Sequence, residues 1–567
     1  MILVADFETT AKTQFELESK TRVYLFQIKS LDNKINHVGT SIQEFFQFIE
    51  TLNDRLTIYF HNLSFDGEFL LWYLLEHGYR STDLDEIEPK TFANITTDMG
   101  QHYMIKVGLP SGFVVDFKCS FRLMPISIEK IGKMVGVEKL KETHNYTELK
   151  NYTDIWDVPQ EELAYLENDV EILRLLIIRL KAMGIKQMTM SSSSYDNWRR
   201  TQWLFSKSLT KSNDAYVNQA IDKSYKGGIT MLNPEYDSVE LNDVISYDVN
   251  SLYPSQMLNN TMPVGDPIVF DTFEEATKDS SHKKFIMVVY VVDMKVLNGY
   301  HPFIGLSSGF LFSSYKYERT IQDKTLYLWK DEYDLFIDYY NGDYEVIRVL
   351  AFKERADVFT NYLDKWKTIK ETTQDAVEKQ IAKLMMNSLY GKFGQKDSRI
   401  KKKVIGADLL DGRILYDNIE EEAPYKFRPI ASYITSMSRC VLIKAIQENA
   451  ENFVYCDTDS LYLKDIKEAK NIPISSNIIG HWKFESHYTR FKCIKPKCYI
   501  KLTDDGKLTR SIAGLPKDAQ DLVDFNNLKK GMILKGVKRY MHKVYGGVII
   551  DNTDFTINID LTYEIED

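Results

Sequence analysis

The chain has 567 residues, 44% of them hydrophobic and 27% charged, with five cysteines and a formal charge of −10. That length is too great for a single core and that composition is too apolar for a disordered chain, so several packed domains are expected. Scattered cysteines without metal spacing exclude a disulfide framework, and the longest apolar run, 285–292, is too short to cross a bilayer.

The N-terminus, "MILVADFETT", has no basic leader and reads as a buried strand that ends in acids. Asp6 and Glu8 stand two apart, so on a strand they share a face. Two buried carboxylates repel unless a divalent cation such as Mg²⁺ or Mn²⁺ neutralises them. "IYFHNLSFDGEFLLWYLLEHG" (58–78) predicts a strand, a polar turn and a helix carrying Asp66. Residues 159–184 have helical apolar spacing and carry Asp169, with Tyr165 one turn earlier, where a phenol can orient an attacking water. Alone, each pattern also fits a solvated turn or a helix cap. In this order within one α/β domain they suggest a metal site. The serine-rich stretch 188–198 reads as a boundary.

"DVISYDVNSLYPSQML" predicts a strand ending at Asp248, then a turn and a helix. Residues 283–357 read as short strands with many aromatics, a compact subdomain. Residues 357–394 read as two helices joined near Thr372. On the second, Lys383, Asn387 and Tyr390 fall on one stripe, a cation, an amide and a ring that suit a nucleoside triphosphate. Gly391 leaves room for a base pair, and Lys370, or else Lys367, could meet a second phosphate. Residues 396–425 read as a charged, irregular, exposed insertion. "VYCDTDSLYL" (454–463) predicts a hairpin with Asp457 and Asp459 at its turn. If it lies beside the Asp248 strand, three carboxylates converge, their burial offset by two Mg²⁺ ions and the triphosphate these carry. The last forty residues carry strand-like segments. Residues 481–545 hold 15 Lys and Arg against 6 Asp and Glu, and 360–403 hold 11 against 5, two surfaces suited to phosphate backbone.

"DFET", "HNLSFD" and "YLENDVEIL" resemble the three exonuclease motifs of proofreading DNA polymerases. "DVNSLYPSQM", "KLMMNSLYGKFG" and "YCDTDS" resemble motifs A, B and C of family B DNA polymerases, and within them the protein-primed enzymes of small tailed phages. The resemblance runs along essentially the whole chain. It implies a multidomain α/β architecture: an RNase H-like 3′–5′ exonuclease domain, then a palm, fingers and thumb polymerase domain with two insertions. The implied divisions are exonuclease 1–186, palm 187–259, insertion 260–357, fingers 358–395, insertion 396–425, palm 426–528 and thumb 529–567.

The resemblance also implies roles. Asp6, Glu8, Asp66 and Asp169 would hold two metal ions for 3′–5′ cleavage, with Tyr165 positioning the water and Lys141 near the scissile phosphate. Thr9, His61, Asn62 and Phe65 would grip the frayed 3′ end. Asp248 and Asp459, with Val249, would bind the polymerase metals beside Asp457, and Glu485 would be a further acid nearby. Tyr253 would exclude ribonucleotides. Tyr225, Gly227 and Gly228 of "SYKGG", with Lys497 and Tyr499 of "KPKCY", would contact DNA. The implied partners are primer and template DNA, dNTPs and a terminal priming protein. The implied setting is the cytoplasm of an infected bacterium, the enzyme acting as a monomer with strand displacement. A DNA-primed family B polymerase and a catalytically silent DNA-binding relative are the alternatives.

Overall fold

The computed structural model describes residues 1–10, 21–141, 152–305, 317–409 and 411–557. An N-terminal eight-stranded sheet runs Asn36–Gly39, Val23–Ser30, Ile2–Thr9, Leu56–Phe60, Val114–Cys119, His102–Gly108, Thr91–Thr96 and Arg80–Ser81. Its centre is parallel, Ile2–Thr9 beside Leu56–Phe60 and that strand beside Val114–Cys119. Such strands are covered on both faces, and in Ile2–Thr9 the residues Leu3, Val4, Ala5 and Phe7 are all buried. Asp6 and Glu8 therefore interrupt a strand with no wet face. Helix Leu63–Glu76 follows the second central strand, and helix Gln160–Ala182 packs on Ile2–Thr9.

The second sheet is antiparallel. Its path is Leu508–Ile512, Cys498–Thr503, Trp482–Lys495, Val244–Val249, Ser460–Lys464, Phe453–Asp457 and Thr230–Leu232. Helix Arg428–Glu448, buried on nearly every side, touches Ser460–Lys464 of this sheet and packs on helix Ala376–Phe393. All five cysteines are free and buried. Among the described residues no helix is long and apolar enough to cross a membrane.

Three segments differ from the sequence expectation. Residues 283–357 form long strands, among them His282–Val296 and Tyr340–Arg355, in a four-stranded antiparallel sheet. Their alternation is broken by register shifts, as between Val288 and Val289, so the period reads as several short strands. The charged segment 396–425 is a hairpin, Ser398–Asp408 paired with Arg413–Glu422. There Lys401 is tied to Glu421 and Lys403 to Asp83 at 2.6 Å, so these cations have protein partners. The serine-rich stretch is helix Met190–Thr201, capped by Thr189, with Ser194 and Trp198 fully buried and the helix packed on Thr360–Thr372 and Ala376–Phe393. A buried Ser194 hydroxyl donating to the Met190 carbonyl makes serine tolerable there.

Candidate active sites

In the antiparallel sheet Val244–Val249 lies between Ser460–Lys464 and Trp482–Lys495, which places Asp248 opposite Ser460 and Lys483. The turn joining Phe453–Asp457 to Ser460–Lys464 is tight. Thr458 has φ +60°, an uncommon setting for a β-branched residue, and the Asp459 amide donates to the Asp457 carbonyl at 2.6 Å. Two further bonds hold this turn: Thr458 N to the Ile229 carbonyl at 2.7 Å and Val249 N to the Asp459 carbonyl at 2.8 Å. A strand and a separate hairpin thus bring Asp248, Asp457 and Asp459 to one end of the sheet. They line a cavity of 490 Å³ together with Glu485, Lys497, Tyr499 and Lys501.

The electrostatics fit a cation. Burial, then Asp459 and Glu485, pushes the Asp248 carboxyl up to about 7, with Lys483 and Lys383 opposing. Asp459 is raised as well, by burial and then by Asp457. Asp457 accepts from Thr230 Oγ1 at 2.9 Å and pairs with Lys497 Nζ at 3.2 Å. Glu485 pairs with Lys483 at 2.7 Å.

Helix Ala376–Phe393 presents Lys383 towards these acids and Tyr390 against Tyr253, the two rings stacked 4.0 Å apart. Asn387 is half-buried on the same helix. Lys370, on the preceding helix Thr360–Thr372, is lowered by burial and then by Lys383, so the two ammoniums are near one another. Nothing stands where a Cβ would lie at Gly391 or Gly227, whereas at Gly228 it would meet Thr458 at 3.0 Å. Gly228 is thus the residue that lets the 225–229 segment press on the 457–460 turn. Tyr225 fills the space over Gly394, where a Cβ would collide with its ring. Tyr499 stacks among Tyr455, Tyr462 and Phe491, and Lys501 binds the hydroxyls of Tyr462 at 3.1 Å and Tyr488 at 3.0 Å, an arrangement the sequence reading did not anticipate.

A second acidic centre lies on the N-terminal sheet. Burial, then Asp169, pushes Asp6 up to about 8, with Lys139 opposing. Asp66 is raised by burial, then by Asp6, with Glu8 adding to it, and Asp169 is raised by burial. Glu8 is 7% exposed. The strand, the first turn of Leu63–Glu76 and the middle of Gln160–Ala182 therefore share one acidic field. Thr9 is buried, Asn62 is exposed with φ +72°, and Phe65 packs its ring on Phe69.

Two of the expected positions show further structure here. His61 has both ring nitrogens engaged, Nε2 with the Ile126 carbonyl and Nδ1 with the Ser120 hydroxyl, each at 2.9 Å, and burial holds it down at about 4. It fastens the strand end to 120–126. Lys141 is exposed, whereas Lys139 pairs with Asp169 at 2.5 Å and lies 3.4 Å over the Tyr165 ring. Asn168 explains the choice: its side chain binds Leu140 N at 2.9 Å and the Glu138 carbonyl at 3.0 Å, which fixes the segment. The signal was the asparagine inside "YLENDVEIL".

Among the described residues no group of three or more His, Cys, Asp or Glu side chains is gathered tightly enough to hold a metal ion in the positions described. The donor chemistry nevertheless fits. Both centres offer carboxylate oxygens with little nitrogen or sulfur, the set that hard divalent cations take. In both, burial and like charge raise the carboxyls, a cost that a cation removes.

The family described as "DNA polymerase type B, organellar and viral" matches residues 49–478. The DNA polymerase of Bacillus phage Nf is 31% identical over 97% of this chain and 98% of its own length. The polymerases of Bacillus phage phi29 and Streptococcus phage Cp-1 are each 30% identical over the same shares. The structure of phi29 DNA polymerase complexed with primer-template DNA superimposes with a TM-score of 0.87 at 27% identity, over 98% of this chain and 100% of that one. A motif order that predicted a polymerase, a sheet that gathers its acids and relatives matched from end to end agree: the chain belongs to the type B DNA polymerases of organelles and viruses.

Proposed function

We propose that this polymerase divides its chemistry between the two acidic centres, with strand synthesis at Asp248, Asp457 and Asp459 and 3′–5′ trimming at Asp6, Glu8, Asp66 and Asp169. The observation that carries the reading is the convergence of Asp248, on a strand, and Asp459, in a separate hairpin turn, near Lys383. Asp248, Asp459 and Val249 would hold the polymerase cations, and the four N-terminal acids would hold those of the exonuclease. Two such ions, Mg²⁺ or Mn²⁺, neutralise charge on the attacking and leaving oxygens. The protein supplies the rest. Lys383 and Lys370 face the triphosphate, and the Tyr253–Tyr390 stack closes the sugar and base pocket. Lys497, Tyr499 and the 225–228 segment border the primer. At the second centre Tyr165 orients water, and Lys139 rather than Lys141 lies beside the reacting acids. Thr9, His61, Asn62 and Phe65 are the candidates to hold the 3′ end.

Likeness along the full length to phage polymerases supports priming by a terminal protein and work inside an infected bacterium. On this reading the domains follow the divisions given above. The four-stranded sheet of 262–355 and hairpin 398–422 are insertions that grip the priming protein and enclose DNA. The test is initiation with a purified terminal protein, Mg²⁺ and one labelled nucleotide. Covalent labelling of the protein is expected. Extension of DNA primers with no such labelling favours the DNA-primed alternative, and no extension at all favours the silent one.

A further inference from the structure

Two hairpins leave the polymerase half of the molecule and end on the N-terminal sheet domain. Hairpin 398–422 is rooted beside Asp397, which pairs with Arg428 at 3.0 Å. Its strands dock on the exonuclease side: Val404 and Ile414 belong to that core, and Asn94 accepts from Val404 N at 3.0 Å and donates to the Lys402 carbonyl at 2.6 Å. Hairpin Ile533–Val544/Gly547–Thr556 is rooted in a cluster with Leu515, Met532 and Phe555. Its tip rests on helix Leu63–Glu76, Tyr545 edge-on to Trp72 at 4.9 Å and Gly547 against Phe69. The two tips also touch, since a Cβ at Gly412 would meet Tyr545 N at 2.9 Å.

At the meeting point lies one carboxylate. Glu68 is 0% exposed, and its Oε1 accepts from His102 Nε2 at 2.8 Å, from Tyr416 OH of the first hairpin at 3.2 Å and from the Lys543 ammonium of the second. Lys543 also lies 4.9 Å over the Tyr416 ring. His102, likewise 0% exposed, is held at Nδ1 by Thr96. Glu68 stands two positions after Asp66, about 200° round the helix, so it faces away from the acidic centre. Core packing does not ask for a buried carboxylate here: a carboxylate kept from water is costly unless donors surround it, and both hairpins supply one.

We propose that Glu68 is a clasp that ties both hairpins to the exonuclease domain, a positioning residue that keeps the enzyme on its template during long synthesis. The inference rests on the reading that these hairpins enclose DNA. An ammonium and a phenol meeting one buried carboxylate make charge-assisted bonds, and losing one raises opening of the clasp about tenfold. Since neither acidic centre touches Glu68, opening leaves single steps of either reaction intact.

The test uses the full chain on a primed single-stranded circle, with excess DNA added as a trap once synthesis begins. Glu68→Gln and Lys543→Gln should each shorten the product about tenfold while single-nucleotide addition and single-strand degradation stay at the parent level. Lys543→Arg, which keeps the charge, should retain length, and the Glu68→Gln/Lys543→Gln double variant should be no worse than the weaker single. Lys543 is half exposed, so its variants fold even if Glu68→Gln does not. Parental product lengths, or losses that multiply in the double variant, overturn the clasp. Deleting 399–421 separates the two ideas. If the deletion leaves product length unchanged, the enclosing reading fails; if it shortens products and the point variants do not, the clasp alone fails.

Discussion

Asp6 and Asp248 set the pH behaviour of the metal-free protein. Each carboxyl is raised on folding, to about 8 and about 7, so between the unfolded carboxylate value and those values the folded chain binds more protons than the unfolded one. The contribution of these two carboxyls to stability without metal therefore falls as pH rises from about 4 to about 8. A cation takes over the neutralising role of those protons, so Mg²⁺ should raise the melting temperature more at about pH 8 than at about pH 6. Equal shifts at both would contradict the cation assignment. Asp6→Asn removes the repulsion outright and should raise the metal-free melting temperature while ending single-strand degradation. At Tyr253, stacked on Tyr390, shortening to Val should increase ribonucleotide incorporation about tenfold or more, read by single-turnover incorporation of matched ribo- and deoxyribonucleotides.

At the scale of elements, the sequence was most informative where polarity broke a strong pattern. Acids at the end of an apolar run, as in Val4–Asp6 and Cys456–Asp457, are out of place in a buried strand, and both sit where segments meet. It was least informative where tertiary packing overrides local preference. The helix through Ser192, Ser193 and Ser194 exists because Trp198 needs a buried slot beside Phe393. His61 matched a motif, yet its two nitrogens are spent on Ser120 and Ile126, partners far along the chain. Lys139 and Lys141 differ by two positions, and only the Asn168 clamp decides which one faces the acids. That clamp gives a prediction: Asn168→Ala should free residues 138–140, lower single-strand degradation about tenfold and leave primer extension unchanged. A loss of both activities would make Asn168 a general folding residue.

For the whole molecule, charge is divided. The chain is acidic overall, yet 481–545 carries nine more basic than acidic residues, 15 against 6. Part of that surplus borders the cavity, Lys497 and Lys501 among it. Binding to primed duplex should therefore weaken steeply with salt, and charge-neutralising changes in this stretch should each flatten the log–log slope by about one unit. Part of the basic content of hairpin 398–422 is instead spent on Glu421 and Asp83, a division that no composition count contains. Which segments belong together was legible from the order of motifs; how the two halves are fastened, through Glu68, was not, because its two hairpin partners lie more than 300 residues away.

The central claim is that two separate acidic centres carry two separable reactions. It is tested by assaying primer extension and single-strand degradation, in Mg²⁺, on Asp248→Ala and on the Asp6→Ala/Asp66→Ala double variant, each shown to be folded. The account predicts that the first loses extension and keeps degradation, and that the second does the reverse. Loss of both reactions in either folded variant would contradict it.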